Sequence, residues 1–201
     1  MKKQLKFLKL KVIESTFISA SFLLILTLSL SFCSNSKPED TKEIAQEQNE
    51  VKFDNAKEEE AKFLVNAAEI NLEEIQLGQL AQTKSLNAEV KSLGKMMETA
   101  HTKAQSDLQA LAEKKQITIP TTLTEEGMSA SKKLMDKKAR DFDKEYCDKM
   151  VSGHKAAINK FEKASTDATD PDIRNWATSI LPALRTHLDY SITCQKQFDK
   201  M

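Results

Sequence analysis

The chain has three histidines, His101, His154 and His187. Each sits at a position that should face a hydrophobic core, and a buried imidazole must find a partner or stay neutral. A fourth polar residue, Glu74, interrupts an apolar seam in the same way. Imidazoles brought together beside Met97 and Met150 make a soft or borderline metal site suited to Cu or Zn. The segments "METAH" and "MVSGH" share the spacing Met-x-x-x-His. A purely structural role is the alternative: each ring bonds to Glu74, to another ring, or to a carbonyl freed by Pro182. A di-iron carboxylate centre needs a Glu from two helices and Glu-x-x-His from two others. Glu74 and Glu98-x-x-His101 offer half of that set. The helix that carries His187 reads "LRTH", and the remaining helix has His154 in place of a Glu. No catalytic constellation is complete, so the sequence points to a non-enzymatic protein.

These residues need long helices to position them. The chain has 4 Gly and 4 Pro against 30 Lys+Arg and 30 Asp+Glu, which favours long amphipathic helices over sheet. The spacing predicts a first helix over about 56–83, with Phe63, Ala67, Ile70, Glu74, Leu77 and Ala81 on its seam. A second, over about 87–115, carries Val90, Leu93, Met97, His101, Ala104, Leu108 and Leu111. A third, over about 141–165, carries Cys147, Met150, His154, Ala157, Phe161 and Ala164. The fourth starts at "DPDI", where Asp170 suits the N-cap and Pro171 the first turn. Its seam is Ile173, Ala177, Ile180, Leu184, His187, Ser191, Cys194 and Phe198. Alternating three- and four-residue steps are the packing period of a helical bundle. A shorter connecting helix is expected over about 123–138, with Thr122 and Glu125 as a capping box. The connector suits a crossover or a simple up-down path. Pro182 should bend the fourth helix one turn before His187.

Register follows from the turns. In an antiparallel hairpin, residues at one level have a constant index sum. A turn centred on Asp170 and Pro171 sets that sum near 341, and both His154 with His187 and Cys147 with Cys194 meet it. The two pairs then face each other two helical turns apart, about 10.5 Å. His101 lies as far below its own turn as His154 does, so the three histidines share one height. Facing cysteines in an oxidising compartment normally pair, and a Cys147–Cys194 disulfide is expected; two buried thiols are the alternative.

The compartment is read from the N-terminus. Residues 1–15 are basic and "TFISASFLLILTLSLSF" is apolar, a secretory signal pattern over residues 1–32. The run ends in "LSFC" followed by polar residues, which resembles the bacterial lipobox. That resemblance implies cleavage before Cys33 and lipidation of its thiol. Retention as an uncleaved anchor is the alternative, and either places the remainder outside the cytoplasm. Residues 33–55 have little to bury and read as a disordered tether, leaving 56–201 as the folded domain. Beyond residue 32 the chain has 25 basic and 29 acidic residues, net −4. With no basic stripe it does not suit nucleic acid; its expected partner is a membrane, through the lipid.

Four segments in order, "FLVNAAEINLEEIQLGQLA", "MMETAHTKAQSDLQALAEKK", "FDKEYCDKMVSGHKAAINKFEKA" and "ILPALRTHLD", resemble a bacterial family of secreted proteins of unknown function, often described as outer-membrane proteins. The resemblance covers about residues 58–190. It implies an all-α, ferritin-like four-helix bundle in the outer membrane or periplasm. It also implies that Glu74, His101, His154 and His187 are its characteristic polar positions. No activity comes with it.

Overall fold

The computed structural model describes residues 40–199. The signal segment, Cys33 and the start of the expected tether lie outside the described residues. Among those described, the fold is all-α, with six helices. They are α1 (Thr41–Lys52), α2 (Asn55–Lys84), α3 (Ala88–Lys115), α4 (Glu125–Met135), α5 (Ala139–Asp167) and α6 (Pro171–Asp199).

The tether expectation is corrected from residue 41 onward. Asp40 caps α1 by accepting from the Lys42 amide, 3.2 Å. Ala45 and Asn49 are its buried residues. The Asn49 side chain donates to the Thr118 carbonyl at 2.8 Å and accepts from the Thr118 amide at 2.9 Å. Lys42 pairs with Glu69 of α2 at 2.6 Å. A composition poor in apolar residues argues against a core element, but α1 is held by polar bonds to backbone and carboxylate.

The long helices α2, α3, α5 and α6 form two antiparallel pairs, α2 with α3 and α5 with α6, packed on a shared interior. Two apolar clusters fix the topology. One joins Leu64, Leu111, Ala112, Phe161 and Ile173, which places the ends of α3 and α5 with the starts of α2 and α6. The other joins Leu77, Val90, Phe142, Tyr146 and Phe198, which places the starts of α3 and α5 with the ends of α2 and α6. Helices α3 and α5 therefore run parallel, and residues 116–138 travel from one end of the helices to the other. Ile117 and Ile119 pack at the first end and Leu134 at the second.

Local chemistry sets the boundaries. Asn87 caps α3 through the amides of Glu89 and Val90. Gln116 ends it in the left-handed conformation, φ 57°. Asp170 caps α6 through the amides of Asp172 and Ile173, and α6 stays helical through Pro182. The cap of α4 is Thr124, not Thr122. Its hydroxyl accepts from the Gly127 amide at 3.2 Å and donates to the buried Glu69 at 3.1 Å. Tertiary burial of Glu69 selects between two threonines that look alike locally. Helices α2 and α3 cross with backbones almost touching: a Cβ on Gly78 would lie 2.5 Å from the Gly94 carbonyl oxygen.

Candidate metal centre

Between the two apolar clusters lies a buried polar layer. It contains Asn71 and Glu74 of α2, His101 and Gln105 of α3, His154 of α5, and His187 and Ser191 of α6. Each long helix contributes because polar residues replace apolar ones on its buried face, within about one turn of the histidines. The imidazole centroids are 5.3 to 5.7 Å apart. One ligating nitrogen from each ring lies within 4.8 Å of the other two. A point between such nitrogens is at most about 2.8 Å from each, against bonds of about 2.0–2.1 Å to Zn. Closing the remainder takes side-chain adjustments below about 1 Å.

Hydrogen bonds reach all three rings. His101 Nδ1 donates to Asn71 Oδ1 at 2.9 Å, and Asn71 Nδ2 donates to Gln105 Oε1 at 3.3 Å. His154 Nδ1 donates to the Met150 carbonyl at 2.8 Å. His101 and His154 then each carry the lone pair on Nε2. His154 Nε2 accepts a hydrogen bond from His187 Nδ1 at 3.3 Å in the metal-free fold, a separation close to that of two nitrogens on a tetrahedral ion with Zn-type bonds. His101 Nε2 is buried with no hydrogen-bond partner. Ligating histidines usually donate their second nitrogen to a carbonyl or carboxylate, and both of these already do so to an oxygen.

The electrostatics suit neutral ligands. Burial holds His101 well below its ordinary value, and the neighbouring imidazoles add to the shift. Burial also lowers His154, against the Met150 carbonyl bond. It brings His187 to about 4, with His154 adding to the effect. Glu74 is pushed up to about 8 by burial and then by Glu73, while Lys149 pulls the other way. Its Oε1 is 3.9 Å from His154 Nδ1, on the side of the ring away from Nε2, and Oε2 is unpartnered. Glu74 is therefore a neighbour of the cluster rather than part of it. Tyr146, raised by burial and by Glu74, has an unpartnered hydroxyl.

The structure does not bring Glu98 to the histidines. Its carboxylate accepts from Gln79, Gln82 and Lys95 on the outer face of α2 and α3. These bonds hold it down at about 2. Glu98 lies within a turn of His101 but points to the donors Gln79, Gln82 and Lys95 at the edge of the face, and the Glu-x-x-His reading fails there. Met97 and Met150 are fully buried one turn before their histidines. Cys147 and Cys194 stand at disulfide distance, Cα atoms 6.0 Å apart. Sequence reasoning missed Asn71 and Gln105. Asn71 lies three residues before Glu74 and Gln105 four after His101, each a turn along the helix from a polar seam position. That spacing was the available signal.

Fold and layer together define an all-helical protein with a histidine cluster enclosed in its core. The chain belongs to the family described as domain of unknown function DUF4142, whose model matches residues 45–191. No curated protein and no solved structure matches it.

Proposed function

We propose that this protein is a cell-envelope lipoprotein whose helical domain binds one transition-metal ion, Cu or Zn, through His101, His154 and His187. The observation that carries the reading is the triangle of buried ring nitrogens, with His101 Nε2 unpartnered at its edge. Asn71 and the Met150 carbonyl orient the ligands, and Glu74 stands behind His154. The domain is of the ferritin-like class, supported by two antiparallel helical pairs joined by one end-to-end connection; a crystal structure with an up-down path would remove that assignment. The role is binding rather than catalysis.

Calorimetry on the chelator-stripped protein is expected to give one site per chain for Cu or Zn. His101→Gln, which removes one of the three ligands, is expected to weaken it more than about 100-fold. Stripped protein that takes up neither metal ends this reading.

Cys33 is the lipid attachment point, and the lipid holds the protein to a membrane. Cys33→Ser is expected to move the protein from the membrane fraction of cells to the soluble fraction; unchanged fractionation argues against the anchor. Cys147 and Cys194 form a disulfide that closes a 47-residue separation, worth about 4 kcal/mol in the chain-entropy model. Both sulfurs should resist alkylation in folded protein until a reductant is added, and prompt labelling without reductant contradicts the bridge.

A further inference from the structure

The cluster has a composition that discriminates between ions. All three candidate ligands are imidazoles, and among the described residues no carboxylate or thiolate joins them within ligand distance. Glu74 stands 3.9 Å behind His154 at Nδ1, the nitrogen that bonds the Met150 carbonyl. The imidazoles themselves are 1 to 5 % exposed. An ion held here keeps its full charge in an apolar interior. The cost of that burial scales with the square of the charge, so a divalent ion is penalised about four times as heavily as a monovalent one. A divalent ion would have to bring its own hydroxide or chloride into a packed core.

The layer next to the histidines adds a second preference. Because α3 and α5 run parallel, the repeated Met-x-x-x-His spacing puts Met97 and Met150 in the same layer, one turn from the histidines toward the Cys147–Cys194 end. Both are fully buried and belong to the cluster that closes that end. Had the two helices run antiparallel, the methionines would lie on opposite sides of the histidine layer. Thioethers are soft donors that favour Cu(I) over Zn. Ser191 occupies the same layer on α6, where its hydroxyl donates to the His187 carbonyl at 2.7 Å; a serine hydroxyl is neutral and supplies no anion.

We propose that the histidine triangle is a cuprous site, taking Cu(I) through three neutral imidazoles next to a methionine layer in preference to Zn(II). This rests on the metal-binding reading above and sharpens it. The test uses the full chain in detergent, stripped of metal. One sample is titrated anaerobically with Cu(I) and ascorbate against bicinchoninate, another with Zn(II) against a chromophoric zinc chelator. The expected result is one Cu(I) per chain, held at least about tenfold more tightly than Zn(II). X-ray absorption should show imidazole scattering at the copper. The double variant Met97→Leu, Met150→Leu keeps the apolar volume and should narrow the Cu(I)-to-Zn(II) ratio. Zn(II) bound as tightly as Cu(I) overturns the cuprous preference and leaves a metal site; a ratio unchanged in the double variant, with an unaltered fold by circular dichroism, overturns the part assigned to the methionines. Binding of neither ion overturns the metal site itself.

Discussion

Acidifying the metal-free protein from pH 7 to pH 4 is expected to remove about 3 kcal/mol of stability through His187 alone. Burial brings His187 to about 4 in the fold, against about 6.5 in an unfolded chain. The folded state therefore prefers the neutral ring. Its contribution is complete above pH 6.5 and is lost as the pH falls toward 4. His101 and His154 are lowered too, chiefly by burial, and act in the same direction as the pH falls below 6.5. Glu74 acts in the opposite sense. Raised to about 8, it contributes fully below its unfolded value of about 4.5 and loses that contribution as the pH rises through 8. Three groups against one leave a stability maximum near pH 6.5. Urea unfolding at half-unit pH steps measures both limbs. His187→Gln should flatten the acid limb, and Glu74→Gln the alkaline one. An acid limb equally steep in His187→Gln would show that His187 is not what acid attacks. A bound ion adds to the neutral-pH stability, about 4 kcal/mol at a thousand times its dissociation constant.

Gly78→Ala is expected to cost about 2 kcal/mol or more. The added carbon would sit 2.5 Å from the Gly94 oxygen and 2.9 Å from the Glu98 nitrogen. Both obstacles are backbone, so no flexible side chain can yield. Gly94→Ala meets the reciprocal block, 2.7 Å from the Gly78 oxygen and 2.8 Å from Ala81 Cβ. Overpacking of this kind costs about 3 kcal/mol, offset by about 1 kcal/mol from better helix propensity. The melting temperature should fall by about 5 °C or more. Gly153→Ala is the control. Its carbon would meet only Glu74 Oε1, at 3.4 Å, and its effect on stability should be small. The α2–α3 crossing also sets the reach from Asn71 to His101. Forcing the helices apart should therefore weaken metal binding as well as the fold. A Gly78→Ala protein that melts like the parent would mean that the two helices can slide apart at little cost.

The long helices were legible because their seams repeat over seven or eight turns, and burial of a stripe is what holds such helices together. The pairing of α5 with α6 was legible because a tight turn leaves one register for residues equidistant from it. The fate of Glu98 was not. A Glu-x-x-His pattern records spacing along the chain, whereas the carboxylate follows whichever donors its neighbours supply, here Gln79, Gln82 and Lys95. Helix α1 was hidden for a related reason. Its attachment runs through Asn49, Lys42 and the distant Thr118 and Glu69, and no local window of sequence contains both halves of those bonds. The same applies to Thr124, chosen over Thr122 by a carboxylate 55 residues away. Direction along the connector was equally invisible, and it decides whether the two methionines share a layer.

The attachment of α1 has a mechanical consequence. A pull applied to the chain ahead of Asp40 reaches α1 before it reaches α2. The bonds of Lys42 to Glu69 and of Asn49 to Thr118 lie at successive positions along α1, so such a load meets Lys42 before it meets Asn49. Helix α1 is therefore the first of the described helices to carry such a load, and it passes the load on to α2 and the connector through Glu69 and Thr118.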